Sequence, residues 1–541
     1  MEIDNQKPST KRRVCSTLSI IMIAIVTFAL GVIFSSRILP RPSNASVLQH
    51  VMGLIDRYYV DTVSLRELET KVLPQVLKEL DPHSVYLPAE LNKKETEGLD
   101  GGFQGIGVQF ITFTDTVVVT RIIEGGPSER AGLQAGDRLL RADTVLLYGK
   151  ALDQERIFKA LRGPAGSVVS LSIKRGTDTL ELPVVRGEVP VSTLDADYMI
   201  DNKWLLVRIN KWGAYTHQEF LAAYVRHRNE GIKGIIIDLR DNGGGYLMAA
   251  PMLAGEFLSK DKMIVYTEGR AYPREEFTTE QDGLLKDMPL VVLVNERSAS
   301  ASEIFAGAMQ DHDRALIVGR RTFGKGLVQA PFLLSDSSAV RLTIARYYTP
   351  SGRSIQRSYA EGAERYGEDL SERFRHGELY SADSIVQSDS TVFLTQLGRE
   401  VYGGGGIRPD VFVPLDSSGR NSYYMRLVQS GTMPRFAFEY ADRNRKMLSE
   451  LAATNELRPY LKQLGMGLLF EYAYYAQRAG VAIRTSMLHE SAKLLQSELH
   501  AMIADHVSPS RNAFFEILMA KDLEILKATE ILNKDEWRPK L

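Results

Sequence analysis

The chain has 541 residues, 44% of them hydrophobic and 25% charged, which excludes a disordered polypeptide and exceeds what a single core can hold. Its 66 Lys and Arg balance 67 Asp and Glu, so no overall field draws it to nucleic acid, and nucleic acid is excluded as a partner on charge. A lone cysteine, Cys15, leaves the body of the chain without a disulfide or a thiolate metal site; no H-E-x-x-H or comparable cluster exists, so neither metal nor cofactor is expected.

Lys11, Arg12 and Arg13 precede an uncharged apolar run from about Val14 to Phe34. A run of about 20 residues suffices to span a bilayer as a helix, and the preceding positive charge predicts a cytoplasmic N-terminus over 1–13. A single-pass anchor over 14–36 is expected, with the body on the periplasmic, extracytoplasmic side of the cytoplasmic membrane. A cleaved signal peptide is the competing reading, because Ser35 and Ser36 are small, but the run is longer than a signal core. Cys15 opens the run, where a lipoprotein cysteine would close it, so lipidation is not expected.

Next comes a helical segment, 45–95, in which apolar residues recur three or four apart from Val47 to Leu80 until Asp81-Pro82 blocks continuation. From 96 to 190 the pattern turns to short β-like runs (VQFITF, TVVVTRII, VVSLSIKR, TLELPVV) with one inserted helix, capped by Asp153 and carrying Ile157, Phe158 and Leu161 on its apolar side. From 191 to 415 aliphatic strands (GIIIDLR, PLVVLVN, RALIVG) alternate with helical stretches (AAPMLAGEFL, SEIFAGAMQD), which predicts a layered α/β core. The remainder, 416–541, reads as a helical extension without an assignable role, and the sequence leaves open whether the chain forms a homo-oligomer.

Three segments of the core carry chemistry. In NERSASASEIFAGAMQD a strand passes through small residues into a helix, and Ser300 stands three residues before Glu303. An isolated S-x-x-E is more often a capping box than anything else. A serine at this place also has its hydroxyl beside the free N–H groups of a helix start, where that of Ala301 can stabilise an oxyanion. In DLRDNGGGYL a strand runs into three glycines that let backbone approach a ligand, with Asp241 and Asn242 expected to shape the turn by local side-chain bonds. In RTFGKGLVQ, Lys325 lies between glycines and Gln329 follows four residues later, on the same face, placed to orient its amine. Lysine serves as a base near neutral pH only when burial lowers its pKa to roughly 7–8, and Phe323, Leu327 and Val328 supply an apolar surround. Most lysines on loops are simply solvated; the combination, not the lysine alone, predicts a serine nucleophile with a lysine base.

Two other patterns fall short of a functional motif. GRRTFGKG matches part of a phosphate-binding loop, but Gly326 replaces the required Ser or Thr and a β-like run replaces the helix. His312 and Asp313 lie on the same segment as Ser300 and outside any catalytic motif, and His83 in DPHS reads as a turn residue.

The segments LDPHSVYLP (80–88), FQGIGVQF (103–110), GGPSERAGLQAGDRLL (125–140), DLRDNGGG (238–245), SASASEIFAGAMQD (298–311), TFGKGLVQ (322–329) and GGGGIRPDV (403–411) together resemble the C-terminal processing peptidases, or tail-specific proteases. The resemblance covers about residues 45–415 and implies a crotonase-like α/β protease core over 191–415 with an inserted PDZ domain over 96–190. It implies Ser300 as nucleophile, Lys325 as base, Gln329 as its orienting partner, and the backbone of Gly244 and Ala301 as oxyanion donors. The turn DNGGG departs from the family pattern, so the sequence leaves open which of its glycines donates. In the PDZ module, Gly105, Ile106, Gly107 and Val108 would capture the terminal carboxylate of a protein substrate, whose chain then pairs with the sheet edge. The resemblance further implies a serine endopeptidase acting on proteins with apolar C-termini, with Arg162 coupling the PDZ module to the core. A catalytically silent PDZ scaffold is the alternative; such a copy would be expected to have lost the serine or the lysine.

Overall fold

The computed structural model describes residues 46–113, 115–149, 152–386 and 391–540. The expected cytoplasmic terminus (1–13) and anchor (14–36) lie outside the described residues, among which no helix is long and apolar enough to cross a membrane.

The chain divides after Val76. In its first part the helical run expected from Val47 to Leu80 is broken into Val47–Tyr58 and Leu65–Lys78. Tyr59 turns to extended backbone, and Ser64 restarts the helix by accepting the Glu67 N–H at 3.3 Å. Apolar spacing alone does not register such a capped break.

The second part, Leu77–Leu541, is built around a six-stranded sheet in the order 194–200, 204–209, 234–238, 290–294, 316–319, 411–412. The first pair is antiparallel and the others parallel. Gly234–Asp238 and Leu290–Val294 are buried at every position, as central strands covered on both faces must be. Their alternation sends Ile235, Ile237, Leu290 and Val292 to one face and Ile236, Val291 and Leu293 to the other. The first face is covered by the helices Thr216–His227, Ala249–Gly255 and Ala301–Asp311, through residues such as Phe220, Leu253 and Phe305.

The second face is covered by the end of the chain. Phe515, Ile525, Ala528, Ile531, Leu532 and Trp537 pack on it. The helical extension expected over 416–541 therefore divides into two. Helices from Ser422 onward form a core of their own around Tyr423, Phe436, Leu469 and Leu499, whereas Leu523–Asn533 is a layer of the α/β core. Both halves have helical periodicity, and periodicity does not say which surface a helix covers.

Charges fasten this last helix. Asp522 caps it by accepting the Ile525 N–H at 3.0 Å and also accepts both hydrogen bonds of Arg240 Nη1 at 2.8 Å. Arg240 in turn grips Asp238, which is fully buried and shared with Arg208 Nη1 at 2.7 Å. Burial alone would raise the Asp238 pKa; the two guanidiniums outweigh it and hold the carboxyl below its ordinary value. Arg320 joins Glu524 at 2.5 Å to Glu296 at 2.8 Å, the latter four residues before Ser300.

A second, five-stranded antiparallel sheet pairs Ala339–Tyr348 with Leu327–Leu333, with Met263–Glu268 and with Val85–Leu87. The segment expected to be helical over 45–95 thus gives three residues, Val85–Leu87, to this sheet before it returns to helix at Ala89: three apolar residues after the Asp81-Pro82 turn are too few for a periodic signal. The β-rich region forms a third sheet, in the order 108–113, 116–122, 138–142, 168–175, 178–185. Val108–Phe113 is its edge, and the helix Gln154–Leu161, capped by Asp153, buries Ile157 and Leu161 against it.

Removing residues 512–541 uncovers one whole face of the central sheet. Ile525, Ile531, Leu532 and Trp537 each contribute about 1.5–3 kcal/mol by burial, a sum comparable to the stability of a domain. The truncated chain is expected to bind a dye specific for exposed apolar surface and to be degraded rapidly in limited proteolysis; an unchanged melting profile would show that the last helix is dispensable.

Candidate active site

The serine turn forms because the strand Leu290–Val294 ends in Asn295 and the helix Ala301–Asp311 begins six residues on. Ser300 occupies the residue before the helix with φ 58° and ψ −117°, a conformation that costs a non-glycine residue about 1–3 kcal/mol. Against it lies the glycine turn. A Cβ on Gly244 would stand 2.7 Å from Ser300 Cβ and 3.2 Å from its Oγ, so only glycine leaves the hydroxyl accessible. Asn242, fully buried, ties the two turns together. Its Nδ2 donates to the Ile209 carbonyl at 2.9 Å, its carbonyl accepts the Ala299 N–H at 2.9 Å, and its Oδ1 accepts the Gly244 N–H at 2.9 Å. Asp241, expected to bond locally, instead exchanges hydrogen bonds with Asn295 across the gap, both at 3.0 Å.

Of the two backbone donors, that of Ala301 has no hydrogen-bond partner among the described residues, as the first N–H of a helix is free to be. The Gly244 N–H is turned to Asn242 Oδ1 in this conformation.

Lys325 lies in the loop before Leu327–Leu333, with Gln329 in that strand directly after a bulge at Val328. The bulge re-aims the side chain. Lys325 Nζ donates to Gln329 Oε1 at 3.0 Å, and Gln329 Nε2 donates to the His83 carbonyl at 2.6 Å. Burial, reinforced by the charge of Arg341, lowers the Lys325 pKa to about 8, against the opposing pull of Glu303 and Asp81. His83 is held by the turn expected of DPHS: Asp81 Oδ1 accepts the N–H of His83 and of Ser84, each at 2.8 Å. Its Nε2 meets the Tyr366 hydroxyl at 2.8 Å, and burial followed by the Lys325 charge pushes its pKa down to about 4. It is a neutral support whose carbonyl positions Gln329.

No hydrogen bond joins Ser300 Oγ to Lys325 Nζ here; the two residues are tied through their backbones. Glu303, 0% exposed, takes four donors. Oε2 accepts the N–H of Ser300 at 2.9 Å and of Lys325 at 2.8 Å, while Oε1 accepts the Gly324 N–H at 2.7 Å and the Thr322 hydroxyl at 2.5 Å. Burial raises its pKa and these four bonds oppose the rise; the three N–H groups can only donate, so both oxygens serve as acceptors. On the carbonyl side the Tyr347 hydroxyl lies within hydrogen-bond distance of both carbonyls, Lys325 O at 2.5 Å and Ser300 O at 3.1 Å, and its one hydrogen is shared between them. The sequence pattern marks Glu303 only as a capping-box residue and gives no sign of Tyr347. S-x-x-E marks the first; nothing local marks the second, 22 residues beyond the lysine.

The remaining candidates lie elsewhere. Among the carboxylate-loop residues, Gly105 ends one strand and Val108 begins the sheet edge. The carbonyls of Ile106 and Gly107 accept Ser128 and Ile123 N–H, at 2.7 and 3.1 Å, and their own N–H groups have no partner among the described residues. The rings of Phe110, on this edge strand, and Phe158, on the helix Gln154–Leu161, are in contact with centroids 5.3 Å apart. Arg162 donates to Glu97 at 2.9 Å, which joins the end of the PDZ-side helix to the helix Ala89–Leu99. His312 bonds the Met263 carbonyl and Asp313 bonds Arg399, away from Ser300. A strand, not a helix, follows GRRTFGKG. No group of His, Cys, Asp and Glu able to hold a metal occurs among the described residues.

Against this geometry stand the likenesses to known proteins. Peptidase family S41 matches residues 203–363, the PDZ domain family matches 118–175, and a family of unknown function (DUF8443) matches 423–507. A relative from Staphylococcus epidermidis, named probable CtpA-like serine protease, is 35% identical over 316 residues, 58% of this chain and 63% of its own length. The chain thus spans less than two thirds of the first relatives it matches. A relative of the same name from Staphylococcus aureus is 33% identical over 344 residues, 62% of this chain and 68% of its own length. Among solved structures, a photosystem II D1 C-terminal processing protease is 25% identical, with 69% of this chain and 94% of that one covered at a TM-score of 0.34. With this sequence kinship, and with a PDZ module beside an α/β core, the chain belongs to peptidase family S41.

Proposed function

We propose that the chain is a serine endopeptidase in which Ser300 Oγ attacks a peptide carbonyl and Lys325 Nζ takes its proton. The observation that carries this reading is the Lys325 amine, lowered in pKa to about 8 and held at 3.0 Å by a glutamine that is itself braced on the DPHS turn. A solvated loop lysine needs no such bracing, and neither does a silent scaffold. Attack forms the Oγ–C bond and places negative charge on the carbonyl oxygen, which the unpartnered Ala301 N–H is placed to receive. Lys325 then protonates the leaving amine, and water releases the acyl group by the reverse use of the same base. The arrangement is a resting one: Gly244 becomes the second donor when its N–H turns from Asn242 Oδ1 toward the substrate oxygen.

Substrates enter this reading by their C-termini. The free N–H groups of Ile106 and Gly107, the unpaired edge Val108–Phe113 and the apolar floor at Phe110 and Phe158 suit a chain end with apolar side chains. The charge pattern at Lys11–Arg13, ahead of the run 14–36, supports a tether that leaves the body outside the cytoplasmic membrane.

Ser300→Ala is expected to abolish cleavage of an unfolded protein with an apolar C-terminus, and Lys325→Ala to lower its rate by about 10²–10⁴. Full activity in either variant removes the dyad. In the intact enzyme the rate of acylation rises as pH passes through about 8 and levels off above it, because the amine accepts a proton only when neutral; a rate already level at pH 6 contradicts a lysine base. Glu303→Gln replaces an acceptor oxygen with an amide that faces N–H donors. It is expected to slow acylation at least about 100-fold while leaving PDZ binding of a C-terminal peptide unchanged; each bond to the carboxylate contributes about 1.5–3 kcal/mol. Wild-type kinetics in this variant contradict its clamping role.

A further inference from the structure

An open cleft of about 490 Å³ lies beside the serine turn, and its lining combines three arginines with an apolar floor. Arg297 belongs to the loop that carries Ser300, Arg375 ends the helix Ala363–Arg375, and Arg420 follows the last strand of the central sheet. Leu370 and Phe374 of that helix and Leu415 form the floor, with Phe374 52% exposed.

The charge on this rim is unmatched. Elsewhere around the same helix guanidiniums have carboxylate partners: Arg321 holds Glu378 through two bonds of 2.7 Å, and Arg373 reaches Asp369 at 2.9 Å. Arg297, Arg375 and Arg420 form no ion pair among the described residues, and the Arg375 guanidinium donates only to the Ser371 carbonyl, at 3.3 Å. Glu296 is the one acid in the lining, and Arg320 Nε already occupies its Oε2 at 2.8 Å. Asp416 and Glu498 feel the charge of Arg420 without reaching ion-pair distance. In a chain whose 66 basic residues balance 67 acidic ones, three guanidiniums without an ion pair around half-buried leucines and an exposed phenylalanine make a local site for an anionic, partly apolar ligand.

We propose that this cleft binds an acidic peptide segment bearing a large apolar side chain. A compact anion would call for converging, buried donors; here the arginines are exposed and come from three separate segments, so they suit charges spread along an extended chain. The apolar side chain fits against Phe374. The helix that forms the floor presents Tyr366 and Arg373 on its adjoining face, where they bond His83 and the Thr322 carbonyl, each at 2.8 Å. A bound segment therefore rests on the element that braces the lysine loop, and under the protease reading it is a stretch of the polypeptide being processed.

The test uses the full chain with Ser300→Ala, so that nothing is cleaved and binding is read apart from activity. The probe is a fluorescent octapeptide of glutamate and phenylalanine, amidated so that it has no free carboxylate for the PDZ module. Its anisotropy is expected to report saturable binding that weakens at least about tenfold in Arg375→Glu/Arg420→Glu and weakens likewise as salt is raised. A PDZ-directed apolar peptide with a free C-terminus should bind the parent and the variant equally, which verifies folding. If the double reversal does not fold, Arg375→Gln/Arg420→Gln should lower affinity at least threefold. Unchanged affinity in the folded variant overturns the proposal, as does equal binding of the lysine–phenylalanine counterpart. Binding to phosphatidylglycerol vesicles without binding to the acidic peptide overturns it too and assigns the cleft to a membrane surface.

Discussion

One buried carboxylate holds the site together. The four hydrogen-bond partners of Glu303 are the N–H groups of Ser300, Gly324 and Lys325 and the hydroxyl of Thr322. The serine and lysine loops follow the neighbouring parallel strands Leu290–Val294 and Leu316–Gly319 and have no direct side-chain bond, so their spacing depends on this group and on the Tyr347 hydroxyl that spans their carbonyls. Charged hydrogen bonds of about 1.5–3 kcal/mol each outweigh the roughly 1–3 kcal/mol of strain in the Ser300 backbone, although desolvation of the carboxylate offsets part of the gain. Without that restraint Ser300 would relax from its positive φ, and the hydroxyl would leave its place against Gly244.

Asn242 fixes the glycine turn to the serine turn, and the DPHS turn fixes Gln329 through a backbone carbonyl. Beneath them Asp238, Arg240, Arg320 and Glu296 are completed by Asp522 and Glu524 from the last helix. Buried charges of this sort are costly when one partner is removed, by about 3–5 kcal/mol. The end of the chain is thus a structural layer of the core, and the helical region between it and the sheet is an insertion rather than a tail. That insertion touches the PDZ module: Arg121 donates to Asp505 at 2.7 Å and Arg138 to Asp442 at 2.7 Å, and Phe113 lies 5.7 Å from Phe438.

Much of this was legible in the sequence, for identifiable reasons. Short aliphatic runs rich in β-branched residues, such as GIIID and LVVLV, read as two-sided strands, and the small residues around Ser300 and the glycines at 243–245 mark places where backbones approach. The Lys325–Gln329 spacing correctly anticipated a side-chain contact, although a bulge and not plain strand alternation produces it. What stayed hidden depends on long-range packing. Leu523–Asn533 and Ser422–Gln429 have similar helical patterns, yet one covers the central sheet and the other does not. Tyr347 and the His83 carbonyl act through contacts across many residues, which no local spacing encodes. The expected Gly244 donor was placed beside Ser300, but its N–H is turned to Asn242, a detail of peptide orientation that sequence cannot hold.

Burial lowers the Lys325 amine far enough, to a pKa of about 8, that a usable fraction of it is neutral near physiological pH. Titration of the lysine ¹³Cε resonances by NMR in the Ser300→Ala protein, with the Lys325 signal identified by its loss in a Lys325→Ala companion, measures this directly. A midpoint near 8 agrees with a buried base poised for proton transfer. A midpoint at the ordinary lysine value of 10.5 would mean that the amine is charged at working pH, and the serine would then lack its base.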